Sequence, residues 1–385
     1  MQKLGLDADQ INAVRNLPLA GSIRVLFRNR VNQLDDETKE LFLTAAVIGN
    51  TFSIPILEKA CDLKNNNFVT AVEELERVHL IQPITEGSVA GKYSFIHEKI
   101  RESVLQDLSL VRVNLIHEKV AKAMEDTGPT SHQAAVIADH FQAAGNVHRA
   151  FHYWIEAGMH ARSIFSPHEA AQAFQNAEKL FLQTEILMDV KEIHKLYTQW
   201  AGLKEERNDS AGLVNCYDKM IEWGRKRQSP LLVGSGLLGM AHDEILKINP
   251  QKANEFIQEA EIFLNQVENK VELSNLYNHK GVFFQLTSEL ENAAESYKKS
   301  LSLTEGMLDP WVLSSRANLL TQISILELFL CNTQNALRIT DENIRLGEQT
   351  GNNLAACWGY TIKSLTQNLI ADFEGGIQTA QKGFR

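Results

Sequence analysis

The sequence predicts a mostly α-helical protein in which a small winged-helix module precedes an α-solenoid of helical hairpins. Three observations lead to this prediction. The 385 residues include only 8 prolines and 22 glycines, which leaves room for long helices. The apolar pattern changes from helical to alternating spacing near residue 80 and returns to helical spacing after residue 97. A small–large–small triad then recurs at nearly constant spacing through the rest of the chain.

Charge and composition exclude several classes of protein. The apolar fraction of 44% and the charged fraction of 22% are ordinary for a globular chain. A net charge of −10 opposes contact with nucleic-acid phosphates, and no long basic run offsets it. Cys61, Cys216, Cys331 and Cys357 are too far apart in sequence to predict a disulfide framework or a zinc site. Without a membrane-length apolar stretch or a signal-peptide core, the sequence predicts a cytoplasmic location and no membrane contact.

The first third of the chain predicts a winged-helix module at residues 36–128, preceded by a helical segment at residues 1–35. Three helices are predicted first, then a β-hairpin, then two further helices. Their approximate ranges are 36–48, 54–61 and 68–78 for the first helices, 80–84 and 93–96 for the strands, and 97–108 and 111–125 for the last helices. Three helices followed by a hairpin is the order of a helix-turn-helix with an added wing. Gly128 and Pro129 then predict a linker.

Residues 129–385 are predicted to form helical repeats. In each repeat a small residue is followed by a bulky residue four positions later and by a small residue three positions after that. The clear copies are Ala150-Trp154-Ala157, Ala170-Phe174-Ala177, Ala253-Ile257-Ala260 and Ala293-Tyr297-Ser300, and the weaker copies are Leu213-Tyr217-Met220, Ala336-Thr340-Asn343 and Gly376-Ala380-Gly383. After Ala170 the copies begin 40 to 43 residues apart, the length of one helical hairpin with its loops. Because helices pack closest where a small side chain faces a large one, the pattern predicts hairpins that stack into a solenoid.

Two stretches of the winged-helix region resemble sequence motifs of STAND-type signalling ATPases. Residues 34–52 resemble the segment L-x-x-x-A-A-V-x-G-x-x-F, which in that family opens the winged helix after the nucleotide-binding domain. Residues 93–105 resemble the family's Y-x-F-x-H-x-x-I-R-E-x-x-Y motif, with Leu105 in place of the last aromatic residue. His117 and Ala121 resemble the L-H-x-x-x-A helix that follows. The helices from residue 132 onward resemble the tetratricopeptide-like repeats of such proteins.

The resemblance implies a non-catalytic regulatory or sensor region of a bacterial STAND signal-transduction ATPase. The repeats would bind a protein, peptide or small-molecule effector. The winged helix would contact the ATPase domain of a longer parent chain, and residues 1–35 would be the end of that ATPase domain. No GxxxxGK[ST] loop is present, and the nearest segment, residues 87–93, falls in the predicted wing turn. We therefore expect no cofactor and no enzymatic activity in this chain, with ATP bound only by the parent. Phe95, His97 and Arg101 are the motif positions that are candidates for an interdomain role, and the alternative for His97 is a packing histidine between the wing and the next helix.

A DNA-binding transcriptional regulator is the alternative function. The third helix of a winged helix can enter the major groove of DNA. Here that helix carries Glu73, Glu74 and Glu76 beside a single Arg77. Because carboxylates repel phosphates, we expect the module to contact protein and not nucleic acid.

The repeat region offers few residues for chemistry. Phe283, Phe284 and Trp358 are candidates for lining a ligand or peptide groove. His148 and His152 are four residues apart and share one helix face, but the sequence supplies no clear third ligand, so we predict no metal site. No G-x-S-x-G elbow or other nucleophile constellation is present, so no residue is predicted to be catalytic.

Overall fold

A computed structural model of the chain describes residues 30–61, 63, 65–84, 91–106, 108–128, 131–184 and 188–383. The predicted N-terminal segment up to residue 29, the wing turn at residues 85–90 and the linker position Pro129 lie outside the described residues. The chain divides into two compact units. Unit 1 comprises residues 1–161 and 172–186, and unit 2 comprises residues 162–171 and 187–385. The predicted domain boundaries after residues 35 and 128 remain predictions.

Unit 1 contains three helices and a three-stranded antiparallel sheet, with the first strand between the first two helices. The elements are α1 Asp36–Ile48, β1 Thr51–Ser53, α2 Ile54–Ala60, α3 Asn65–Arg77, β2 Ile81–Pro83 and β3 Lys92–Phe95. The sheet order is β1-β3-β2, with Phe52 opposite Tyr93 and Ile81 opposite Phe95. The prediction contained the hairpin but missed β1, because three residues are too few to show an alternating pattern.

Aromatic rings join the helices and the sheet of this module. Phe95 on β3 lies 5.4 Å from the ring of Phe42 on α1 and 5.7 Å from the ring of Phe52 on β1, measured between centroids. All three side chains are buried. Tilted and edge-to-face contacts at this distance stabilise aromatic clusters beyond the burial of their area. The alternating residues of the short strands therefore supply the core, as their spacing predicted.

Helices follow the sheet in unit 1. They are α4 Glu98–Gln106, α5 Leu110–Asp126, α6 Ala134–Ala143, α7 Val147–Ser163 and α8 Pro167–Thr184, the last two of which extend into unit 2. A 3₁₀ turn, Ser131–Gln133, leads into α6. Ser109 caps α5, since its side chain accepts a hydrogen bond from the amide of Arg112.

Unit 2 is a stack of helical hairpins. Its helices are α9 Val190–Glu206, α10 Ser210–Lys226, α11 Pro230–Leu246, α12 Pro250–Leu264, α13 Lys270–Leu286, α14 Leu290–Leu303, α15 Pro310–Phe329, α16 Thr333–Thr350, α17 Asn353–Leu369 and α18 Phe373–Gly383. We call the odd-numbered helices of unit 2 the A helices and the even-numbered ones the B helices. Ser229, Asn249 and Asp309 each cap a helix that begins with proline. The predicted α-solenoid of tetratricopeptide-like hairpins is confirmed.

The repeating triads lie in α7, in α8 and in the B helices, and they are almost entirely buried. In α14, for example, Ala293 and Ser300 are 0% exposed and Tyr297 is 1% exposed. A Cβ atom added to Gly281 on α13 would lie 2.3 Å from the Tyr297 ring, so the ring fills the space that glycine leaves. Gly158 on α7 receives the ring of Phe174 in the same way. The small-for-large contact that the sequence predicted therefore joins the two helices of one hairpin.

Each triad is also preceded by a small residue on the neighbouring helix. Twelve positions before the start of each triad from Ala170 onward the chain has glycine, alanine or serine. These residues are Gly158, Ala201, Ala241, Gly281, Ser324 and Ser364. All but Ser364 are buried. This second register of the repeat was present in the sequence and would have located the A helices.

The turn from each A helix to its B helix contains a residue with a left-handed backbone. These residues are Asn208, Ile248, Ser288, Cys331 and Ala371, with φ between 52° and 66°. None is a glycine, although glycine is the usual residue at a helix C-terminus of this kind. A β-branched side chain is strained in this region, and Ile248 is also 74% exposed. The turns could not be predicted from glycine signals for this reason.

In the described part of the chain, no helix has both the length and the apolar character needed to cross a membrane.

Candidate functional site

The motif residues of unit 1 occupy three different environments. Phe95 belongs to the aromatic core, and His97 is exposed between β3 and α4. The Nε of Arg101 donates a hydrogen bond of 2.7 Å to the carbonyl oxygen of Ala46. That carbonyl lies in the last turn of α1, where a positive charge is favoured by the helix dipole. Arg101 therefore fastens α4 to α1, and the interdomain role of these residues remains a prediction.

A histidine pair, the half-buried His117 on α5 and the buried His140 on α6, lies near Arg101. The two Nδ1 atoms are 2.7 Å apart, so one ring must donate and the other must accept. Burial, together with the charges of His117 and Arg101, lowers the pKa of His140 to about 4. Burial and Arg101 also lower the pKa of His117. Both rings are neutral near pH 7, and the pair joins two helices of the core.

The three candidate groove residues lie on two helices of unit 2. Phe283 and Phe284 are neighbours on α13, with ring centroids 5.4 Å apart. Phe283 packs against the core cluster that contains Leu276, whereas Phe284 packs against the next cluster, which contains Tyr297. Trp358 on α17 is 49% exposed. Their role in a groove remains a prediction.

The A helices form the inner layer of unit 2. Successive A helices contact one another, whereas the B helices contact mainly the A helices on either side. The A helices are more closely spaced than the B helices. The faces that the A helices turn away from the B helices therefore form the concave side of the solenoid. This layer contains most of the buried charged side chains of the unit, namely those of Asp243, Glu244 and Glu272.

A row of two histidines and a carboxylate crosses three A helices on this layer. We call Glu205 on α9, His242 on α11 and His279 on α13 the histidine–carboxylate row. The Nε2 of His242 lies 2.9 Å from Oε1 of Glu205, and the rings of His242 and His279 are 5.5 Å apart with a T-shaped geometry. The side chain of Glu205 is 44% exposed and that of His242 is 30% exposed. The row is therefore accessible to a ligand.

The hydrogen bonds fix which ring nitrogens carry a proton. A carboxylate only accepts, so Nε2 of His242 donates to Glu205. A carbonyl oxygen also only accepts, so Nδ1 of His279 donates to Asn275 at 2.8 Å. Desolvation and the neighbouring His242 lower the pKa of His279 to about 4. At neutral pH, Nε2 of His279 is therefore an acceptor with a free lone pair.

Two sets of polar contacts lie on the same helices as Glu205 and His279. On α9, Arg162 binds Oε1 of Glu206 through Nε and Nη2 at 2.9 and 2.7 Å, and its Nη1 donates to Gln199 at 2.9 Å. On α13, Glu272, which is only 6% exposed, accepts a hydrogen bond of 3.0 Å from Ser235. Its second oxygen lies 3.6 Å from Nε2 of His194. Both carboxylates are therefore partnered.

Tyr217 reaches the same region from a B helix. Its ring lies against Gly239 of α11, where an added Cβ atom would be 2.3 Å from a ring carbon. Burial raises the pKa of Tyr217, and the charges of Glu205 and Glu272 raise it further. The phenol therefore lies close to the row, and the space left by glycine admits it.

Unit 1 contains a separate shallow hollow of about 390 Å³. It is lined by Glu125, His148, Arg149, His152 and Tyr153. Glu125 already accepts hydrogen bonds from Arg149 and Tyr153 there. Across the described residues, no three histidine, cysteine or carboxylate side chains are grouped so as to hold a metal ion.

Sequence reasoning missed the histidine–carboxylate row. Its three residues are 37 positions apart, which differs from the repeat spacing of 40 to 43 residues. The difference arises because each contact joins a residue of one A helix to a residue about one turn closer to the N-terminus of the next A helix. A search for polar residues at a spacing slightly shorter than the repeat would have found Glu205, His242 and His279.

Comparison with known proteins supports the fold. No family model and no curated protein matches the sequence. Among solved structures, a signal transduction ATPase with numerous domains (STAND) protein with a tetratricopeptide repeat sensor, from Pyrococcus horikoshii, is similar over 94% of this chain, with a TM-score of 0.66 and 13% identity. The chain spans about half of that protein, 52% of its length.

Two further structures are less similar. One is NprR in complex with its cognate peptide NprX, with a TM-score of 0.48 and 11% identity over 89% of this chain and 88% of that one. The other is a Rap protein complexed with Competence and Sporulation Factor, with a TM-score of 0.46 and 10% identity over 74% of this chain and 89% of that one. The STAND structure establishes that this chain has the fold of a tetratricopeptide-like helical solenoid preceded by a small α/β module.

Proposed function

We propose that this chain is the non-catalytic sensor region of a STAND-type signalling ATPase and that unit 2 binds the effector, a peptide or protein segment. The observation that carries the proposal is the accessible histidine–carboxylate row on the inner layer of the A helices. Polar groups in protein interiors normally satisfy one another. Here Oε2 of Glu205 and Nε2 of His279 have no hydrogen-bond partner among the described residues, and the Glu205 side chain is 44% exposed.

The inner layer offers a peptide more than one kind of contact. The row supplies polar contacts on α9, α11 and α13. Farther along the layer, α17 exposes Trp358, Leu365 and Leu369 at positions that share one helix face. A bound segment with a polar part and an apolar part would use both. Pockets for apolar side chains combined with a few fixed polar groups are typical of peptide recognition.

Unit 1 is the candidate for contact with the ATPase domain of a longer parent. His97 lies exposed directly after the wing strand, beside the residues that fasten α4 to α1. Binding of an effector to unit 2 would regulate the parent only if it favoured one of two states of the protein, which requires different affinities for the two. ATP would bind the parent's own ATPase domain and not this chain.

The test is a thermal-shift screen of peptides against the whole chain and a Glu205→Gln/His242→Gln double variant. A ligand that binds the native state raises the melting temperature in proportion to the logarithm of its concentration over Kd. We expect at least one peptide to stabilise the wild type and to leave the double variant unchanged. If every stabilising peptide acts equally on both proteins, the row is not the effector site.

DNA binding by the winged helix is the alternative that the same material can test. On α3, Arg77 is paired with Glu74 through hydrogen bonds of 2.6 and 2.8 Å. A hydrogen bond to Glu76 raises the pKa of Tyr93 on the wing to about 12, so this carboxylate lies against the sheet. These contacts leave α3 without a free cation, which disfavours phosphate binding. Sequence-dependent gel shifts at low salt would favour the alternative.

A further inference from the structure

We propose that the histidine–carboxylate row binds a hydrogen-bond-donating cation of the effector, namely a guanidinium or a primary ammonium group. This inference rests on the proposed function, because it names the ligand chemistry of the same site. Its basis is the set of atoms that remain open once the contacts among the described residues are counted.

The open atoms of the row are all acceptors. Oε2 of Glu205 has no partner among the described residues, because the bond to His242 uses Oε1. His279 presents the lone pair of Nε2, because its Nδ1 proton is used by Asn275. In its neutral form His242 presents Nδ1 as an acceptor for the same reason. A ligand group that fits these atoms must donate several hydrogen bonds and need not accept any.

A fourth acceptor lies on the same helix as His279. Oδ1 of Asn278 is inaccessible to solvent and has no hydrogen-bond partner among the described residues. Buried carbonyl oxygens are normally paired in native structures, so a donor that reached this atom would satisfy it.

The charge around the row also favours a cation. Arg162 is offset by its ion pair with Glu206. Glu205 and Glu272 then leave the region negative while His279 is neutral. Hydrogen bonding to His242 lowers the pKa of Glu205, so this carboxylate remains ionised. An anion would meet repulsion and no open donor, whereas a cation would form charge-assisted hydrogen bonds.

The aromatic ring of Tyr217 completes the environment. Cations are attracted to the faces of aromatic rings, and the phenol oxygen offers one more acceptor. Tyr217 is close enough to Glu205 and Glu272 for their charges to raise its pKa. A cation bound there would therefore be attracted by the aromatic ring and by the carboxylates together. A planar guanidinium has five donors in a fixed arrangement, and an ammonium has three donors that rotate. Comparison of the two groups distinguishes these sources of the cation.

The experiment uses the whole chain with histidine-specific ¹⁵N labels, followed by NMR at pH 7.5. The probes are N-acetyl-arginine methylamide, N-acetyl-lysine methylamide, the neutral isostere N-acetyl-citrulline methylamide, and inorganic phosphate. We expect the arginine or the lysine probe to shift the imidazole resonances of His242 and His279 in a saturable way. We expect the citrulline probe and phosphate to leave them unchanged.

Variants test the assignment to the row. Glu205→Gln should weaken the cationic probe about tenfold, since it removes one charge-assisted hydrogen bond. Glu255→Gln makes the same change at an exposed position of α12 and should have no effect. His279→Phe keeps the ring volume, removes the acceptor and should also weaken binding, which keeps the test valid if Glu205→Gln folds poorly.

Three results would overturn the inference. They are equal binding of the citrulline and arginine probes, binding of phosphate at the row, and equal effects of Glu205→Gln and Glu255→Gln. Failure of the proposed function looks different, because the cationic probe would then bind the row while no peptide stabilised the chain through it. A peptide that acts through the row and carries no cation would reject the inference alone.

Discussion

Unit 1 and unit 2 each contain a pair of neighbouring histidines, and the two pairs have opposite properties. In unit 1 the rings of His117 and His140 bond directly to each other, and His140 is 5% exposed. In unit 2 His242 and His279 bond to different partners, and the second nitrogen of each ring has no hydrogen-bond partner among the described residues. The pKa of one ring in each pair is lowered to about 4 by burial. The hydrogen-bond partners of a histidine, more than its pKa, therefore indicate whether its role is structural or in binding.

The largest expected effect on stability comes from removing one ring of the His117–His140 pair. We expect His140→Ala to lower the free energy of unfolding of unit 1 by about 3 kcal/mol, because it creates a cavity and leaves His117 unpaired. The same change at the partly exposed His279 should cost unit 2 about 1 kcal/mol. Hydrogen exchange in urea, followed in segments 110–143 and 270–286, reports the two units separately. His148→Ala, at an exposed histidine, is the control, and equal costs at 140 and 279 would remove the distinction.

The next largest expected effect is a loss of stability of unit 1 in acid, through the His117–His140 pair. The pKa of His140 is lowered from 6.5 to about 4, so the native state resists protonation that the unfolded chain accepts. The stability present above pH 6.5 is therefore lost as the pH falls toward 4, by about 3 kcal/mol in total. Burial raises the pKa of Asp139, which acts in the opposite direction.

Urea midpoints of unit 1 between pH 7 and pH 4.5 measure the acid effect. In His140→Gln, which cannot titrate, the midpoint should depend less on pH. The difference between the two proteins isolates His140 from Asp139, because the aspartate is present in both. Identical pH dependence in wild type and variant would show that the pair does not titrate with folding.

A smaller effect tests whether unit 2 is optimised for stability. Ile248 has a left-handed backbone and an exposed side chain. We expect Ile248→Asn to raise the free energy of unfolding by about 1 kcal/mol, because asparagine tolerates this conformation. Asn208 occupies the equivalent turn of the preceding hairpin and shows that the residue fits. Thermal unfolding measures the gain, and a loss of stability would mean that Ile248 makes contacts that outweigh its strain.

The smallest expected effect on stability is at the histidine–carboxylate row. Glu205→Gln should change the free energy of unfolding by less than about 0.5 kcal/mol, because Glu205 is almost half exposed and surface ion pairs contribute little. The same variant is expected to bind the cationic probe about tenfold more weakly. Urea unfolding and the NMR titration, performed on one preparation, compare the two roles. A large loss of stability would place Glu205 among structural residues, like His140.

Sequence periodicity predicted the parts of the fold that depend on packing. The triads around Phe174 and Tyr297 marked the buried faces because small and large side chains must alternate where helices meet. The strand β1 and the left-handed turn at Ile248 were not predicted, since neither carries the residue pattern usual for its structure. The row was missed because its contacts join different turns of neighbouring helices. Such contacts depend on how far each helix is rotated, and one hairpin's sequence does not specify this rotation.

The gap at Gly239 has a mechanical consequence. Tyr217 is rooted in the outer layer of B helices, yet its ring passes α11 and ends near the carboxylates of the inner layer. A Cβ atom at position 239 would collide with this ring, so α10 can approach α11 this closely only while position 239 carries no side chain. One missing methyl group therefore sets the distance between an inner and an outer helix of the solenoid.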